Sequence, residues 1–303
     1  MQETRFNFQP MRVDQGEGAK VLVGCSGELL RINVDGESLH EPVTPFPASI
    51  SGGVVMREVW VGTWLDQELR QARMAALPLD GEWKDGGSRQ QLREVPDTDV
   101  LMPAASVWAR RLDAEPMALT RVSRGAVFAT LNRGVYMIDD GAEELWRSSY
   151  PEWPGLSKFQ NSDTLVSCTE HNGSVGLWSR SGSVTLLDEE DGSFISSHVV
   201  ALKSPLAGVE YSEEGGWFMM LESGGVGILE DILLSPRMLK TPGPVFDANY
   251  SDGGWRWTGW RHDGSDLDEG CTIESRRDVG VALVGDNVVT NDGRWDVFRA
   301  NSF

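Results

Sequence analysis

The chain has 303 residues, with 46 acidic against 27 basic side chains and a formal net charge of −19. A surface of that sign repels phosphate backbones and anionic headgroups, which argues against nucleic-acid and membrane partners. Hydrophobic residues make up 40% of the sequence, enough for a substantial core, and 34 Gly and 14 Pro spread along it predict many turns and short elements rather than long helices.

The N-terminal run RFNFQPMRV (residues 5–13) reads as a lone strand, and the start MQETR lacks the apolar core of a signal peptide. No apolar run approaches the ~18 residues that span a bilayer, so a soluble, cytoplasmic protein is expected. From Val21, VLVGCSGELLRINVDG gives the first copy of a recurring unit: a short apolar strand, a Gly-containing turn, and a second strand ending near Asp or Trp. PVTPFP (42–47) then reads as a linker, and the unit returns from Val59 as VWVGTWLDQELRQARMAALPLDGEW. Residues 84–117 break the rhythm and read as a degraded copy or an excursion; the degraded copy is favoured because the gap from 59 to 126 is close to two repeat lengths. Further copies start at Ala126, Leu165, Trp217, Trp255 and Val279, with the linker YPEWPG (150–155) between the first two.

Several of these starts are 38 residues apart: 21 to 59, 126 to 164, and 217 to 255. A period in this range marks propeller blades or solenoids. The β-branched and aromatic runs, with Asn-Gly, Asp-Gly and Ser-Gly turns and no sustained 3.6-residue periodicity, exclude the helical solenoid. The expected fold is therefore all-β: a single propeller over residues 1–303, with seven blades, or six as the alternative. Residues 279–300 look like part of a blade only, so the N-terminal strand is expected to complete it by pairing with the C-terminal strands.

Two stretches carry family resemblances. LVSCTEHNGSVGLW (165–178) resembles the second and third strands of a WD-repeat blade, with Ser167 and Thr169 on one strand, the turn His171-Asn172-Gly173, and Trp178 closing the next. It departs from that pattern in lacking an upstream Gly-His pair and in having Ser179 after the Trp. GVYMIDDGAEELWR (134–147) resembles a quinoprotein-type (PQQ-like) blade, and SVTLLDEEDG (183–192) is a weaker copy. Both resemblances imply fold alone, and no cofactor is expected from them.

No HExxH, GxSxG, P-loop or CxxC pattern occurs, and the four His (40, 171, 198, 262) and three Cys (25, 168, 271) are scattered, which predicts reduced, buried thiols. HDGSDLDEG (262–270) gathers Asp263, Asp266, Asp268 and Glu269, a set of oxygens that suits Ca²⁺ but equally describes a solvated acidic turn. Trp255 and Trp257 share a strand face and, with Trp153 in a linker, are candidates for stacking on a sugar or gripping a peptide; the structural alternative is packing between sheets. The functional expectation is a non-catalytic scaffold presenting a propeller face to protein partners within a cytoplasmic assembly. The alternative is an enzyme or a small-molecule or carbohydrate binder with its site at the channel mouth.

Overall fold

Runs such as GWFMML (216–221) carry large apolar side chains at successive positions, so a strand made from them needs cover on both faces. Stacked small sheets supply that cover. The computed structural model describes residues 5–94, 101–153, 161–267 and 270–300, and among them it has 26 strands and one short helix.

The chain packs as two compact units. Asn7–Tyr150 carries three sheets. The first holds β1 (Pro10–Gly16), β2 (Ala19–Gly24) and β3 (Leu29–Ile32), extended by isolated bridges from Ile32 to Ser38 and from Leu29 to Val43. The second holds β4 (Ser49–Val55), β5 (Val59–Asp66), β6 (Gln71–Pro78) and, after the helix α1 (Arg89–Glu94), β7 (Trp108–Leu112). The third holds β8 (Pro116–Val122), β9 (Gly125–Thr130), β10 (Gly134–Ile138) and β11 (Glu144–Ser148).

The other unit, Met1–Phe6 with Pro151–Phe303, carries four sheets. They are β12 (Leu165–His171), β13 (Ser174–Ser179), β14 (Ser183–Asp188) and β15 (Phe194–Val199); then β16 (Leu206–Ser212), β17 (Gly216–Leu221), β18 (Val226–Leu229) and β19 (Arg237–Leu239). Next come β20 (Val245–Ser251), β21 (Gly254–Gly259), β22 (His262–Leu267) and β23 (Gly270–Ser275), and finally β24 (Gly280–Val284), β25 (Asn287–Thr290) and β26 (Trp295–Val297). Every sheet is a meander of consecutive antiparallel strands, and the seven are the blades of an all-β, seven-bladed propeller.

Alternation along each central strand feeds two different cores. On β17, Trp217, Met219 and Leu221 pack with Trp178, Val184 and Leu186 of the preceding sheet. Phe218 and Met220, on the opposite face, pack with Val245, Trp255 and Trp257 of the following one. In the first unit β5 behaves alike: Trp60 and Trp64 join the first sheet's Val21, Val23 and Leu29, while Val61 meets Ala126 and Phe128 of the third sheet. Polar ties cross the same gaps. Trp60 Nε1 donates to Asp14 at 2.8 Å, Ser167 Oγ donates to the Val209 carbonyl at 3.2 Å, and the Leu283 N–H donates to Asp247 at 2.6 Å.

Large rings at the sheet faces demand glycine beside them. A Cβ on Gly62 would lie 2.1 Å from the Trp60 ring, and one on Gly264 would lie 2.2 Å from Trp257. A polar device also repeats where the third strand of a sheet ends. The Oδ1 atoms of Asn33, Asp139, Asp188 and Asp231 each accept a backbone N–H two residues on, at 3.0, 2.9, 2.7 and 2.8 Å. Two of these, Asp139 and Asp188, are the aspartates of the quinoprotein-like segments.

The sequence reading needs correction in four places. The copies at Val21, Val59, Ala126, Trp217 and Trp255 fall on second strands, but Leu165 opens a first strand, so the 126-to-164 spacing joins unlike positions. The WD-like segment therefore forms the first and second strands of its blade, with Trp178 Nε1 donating to Thr169 Oγ1 at 3.0 Å. Of the two readings of 84–117, the strand order fits the excursion rather than the favoured degraded blade: α1 follows β6, and β7 is the outer strand of the same sheet, paired through Ala76 with Trp108 and Ala72 with Leu112. The run 5–13 divides: Arg5 bridges Arg294 and the Phe6 N–H donates to Gly293 at 2.7 Å, whereas from Pro10 the chain belongs to the first sheet. Finally, the cysteines are free, as expected, but Cys25 and Cys271 are exposed rather than buried.

Candidate functional site

The residues singled out for chemistry in the sequence lie mainly inside the packing. HDGSDL is the strand β22, paired on both sides, rather than a loop. Asp263 and Asp266 stand three residues apart on it and so face opposite ways, which prevents them from converging on one ion. Asp263 is fully buried: Arg276 Nη1 donates to both its oxygens at 2.7 and 3.0 Å, Thr258 Oγ1 donates at 2.6 Å, and the Arg299 N–H donates at 3.1 Å. Asp266 pairs with Arg237. Asp268 and Glu269 lie outside the described residues.

Trp257 is 0% exposed, and it and Trp255 hold Phe218 at ring-centroid distances of 5.6 and 5.0 Å. Trp153 is buried, with Nε1 donating to Thr185 Oγ1 at 3.0 Å. None of the three rings presents a face for stacking, so they act as the packing alternative describes. Trp260, after Gly259, is the exposed ring of that group.

The excursion from the second sheet builds a different site. Its helix comes to rest beside the turn joining β5 to β6, over a cleft of about 710 Å³. The β2–β3 turn brings Cys25 and Ser26, the start of β4 brings Ser49 and Ser51, and the end of β5 brings Asp66 and Glu68. The Asp66 side chain is only 2% exposed and accepts the Leu69 N–H at 2.9 Å, which fixes the turn. Arg89 reaches both carboxylates, at 3.3 Å from Asp66 and 2.9 Å from Glu68, and Arg93 adds a contact to Glu68 at 3.0 Å.

Partial desolvation of its sulfur, with Glu28 adding repulsion, pushes the exposed Cys25 thiol up, so it stays protonated at neutral pH and is a poor nucleophile. Ser51 Oγ lies 2.9 Å from Thr63 Oγ1. The chemistry the cleft offers is recognition: hydroxyls, and a carboxylate–guanidinium lattice able to exchange partners. No local motif announces it, because its residues come from four separate places in the sequence. The one available signal was the break in rhythm at 84–117.

No family model and no curated protein matches the chain. Solved structures do, as folds. The WD40 β-propeller domain of Doa1 superposes with a TM-score of 0.65 at 8% identity, covering 99% of this chain and 96% of that one. The Raptor structure from Chaetomium thermophilum gives 0.62 at 10% identity over 98% of this chain, which spans 30% of it. The computationally designed Ika8 protein gives 0.58 at 11% identity, covering 97% of each. At such identities the likeness establishes the propeller fold and nothing finer.

Proposed function

We propose that the chain is a non-catalytic interaction scaffold that presents a propeller face to protein partners within a cytoplasmic assembly. In this reading residues 1–303 work as one propeller domain, with 84–117 its specialised excursion. The observation that carries it is the α1 cleft, a polar opening of about 710 Å³ whose rim is made of turns fixed on rigid sheets. Its ion pairs suit a partner segment bearing Lys or Arg, which can take the place of Arg89 on Glu68. The fold adds support, since WD40-type propellers typically mediate protein interactions.

The test is affinity capture of the full chain from its native host beside a Ser49→Trp variant that fills the cleft. A stoichiometric protein partner, lost in the variant while the melting temperature stays put, is the expected result. Recovery of the chain as a clean monomer, or capture indifferent to Ser49→Trp, would overturn this reading.

A further inference from the structure

An unneutralised positive cleft lies in this acidic chain. Within Asn7–Tyr150, the β4–β5 turn and the β8–β9 turn open onto a cavity of about 280 Å³ lined by Arg57, Arg121, Arg124 and Asp140. The three arginines are exposed, and among the described residues none of their guanidinium groups meets a carboxylate. Arg89, Arg147, Arg180, Arg237 and Arg276 each sit on an acidic partner; what sets the cleft apart is that three arginines without one line the same small space. Three guanidiniums against one carboxylate leave two positive charges around a small polar space. Exposed side chains are not forced together by packing, and their mutual repulsion is relieved by an anion that accepts from several forks at once.

The arginine cleft does not end at its own wall. Arg57 also lines an adjoining cavity of about 530 Å³, where the apolar side chains of Val34, Leu39 and Leu79 lie among the charged Glu17, Glu58 and Asp80. Val34 and Leu39 are exposed there. A charged subsite that shares a residue with an apolar one fits a peptide better than a free ion: one side chain supplies the anion, and a neighbour along the segment supplies the hydrophobe. A charge of two matches a phosphomonoester, which carries about −1.5 to −2 at neutral pH.

We propose that the arginine cleft binds a phosphorylated side chain on an extended protein segment, with an apolar neighbour of that side chain seated beside Val34 and Leu39. The proposal does not depend on the α1 cleft, so Ser49→Trp should leave it intact.

The test uses the full chain and a fluorescein-labelled peptide, Gly-Leu-Gly-phosphothreonine-Gly-Leu-Gly, read by fluorescence anisotropy. The phosphorylated peptide should bind at least about tenfold more tightly than its unphosphorylated form, and the double variant Arg121→Ala/Arg124→Ala should remove that preference without moving the melting temperature. Leu39→Asp should weaken the phosphopeptide but leave competition by inorganic phosphate unchanged. Equal binding of the two peptides, no binding of either, or full binding by the arginine variant would overturn the proposal. Inorganic phosphate binding as tightly as the phosphopeptide would also overturn it, since the site would then hold a free anion.

Discussion

At the scale of single residues, two carboxylates show how environment assigns roles. Asp263 and Arg276 are both fully buried, and their pair ties β22 to the segment after β23 and, through Asp296 at 2.9 Å, to β26. Removing one partner leaves a desolvated charge. Arg276→Met should therefore cost about 3–5 kcal/mol in urea denaturation, and Asp263→Asn combined with it should restore part of the loss. Glu210 is a different case: it is exposed on β16, yet desolvation, with repulsion from Asp247, pushes its pKa up to about 8. A carboxyl raised in the folded state binds more protons there than in the unfolded chain. Its contribution to stability thus falls as pH rises from about 4.5 towards 8. Glu210→Gln should melt higher than the parent at pH 8, with the difference shrinking towards pH 5, as scanning calorimetry would show. Neither role was legible beforehand. Asp263 stood out as one of an acidic cluster, because a sequence shows proximity along the chain but not which face of a strand each carboxylate takes.

At the scale of elements, strand chemistry was the readable part. The Trp and Gly that recur in VWVGTW and SVGLW are there because a ring lies over a position with no Cβ, and both halves of that contact sit in one short string. Turn chemistry was readable for the same reason. Edge protection is the exception that needed the sheets themselves. Outer strands are defended by charge: Arg110 and Arg111 on β7, Glu144 and Arg147 on β11, Arg237 on β19, Glu274 on β23, Asp296 on β26. β15 has none, and it exposes Phe194, Ile195 and Val199 at 65%, 50% and 59%. Among the described residues its one defence is the irregular register opposite Leu186 and Leu187. Val199→Lys should lower light scattering during refolding from urea while leaving the melting temperature within a degree or so, because the residue is already solvated. Unchanged scattering would mean that the bulge alone protects this edge.

At the scale of the whole molecule, the repeat revealed the architecture and narrowed the blades to seven or six, but its phase slipped wherever connections were long. The 38-residue spacing survives between Val59 and Val21, and between Trp255 and Trp217, where a sheet follows its neighbour through a short link. It fails between β6 and β7 and between β11 and β12, where the links are longer. The α1 cleft was illegible for the same reason, since it exists only once the first two sheets and the excursion are side by side. That detour also orders events in time. In the fourth sheet β14 and β15 are separated only by residues 189–193, whereas β6 waits through residues 79–107 before β7 arrives. Closing the longer loop costs roughly 1.5 kcal/mol more in chain entropy. As the polypeptide emerges from a ribosome, the outer edge of β6 stays uncovered until about thirty further residues have been made. Replacing 80–106 with a tight turn should speed refolding in stopped-flow measurements while erasing Arg89 and its cleft, because the long loop and the cleft share one stretch of chain.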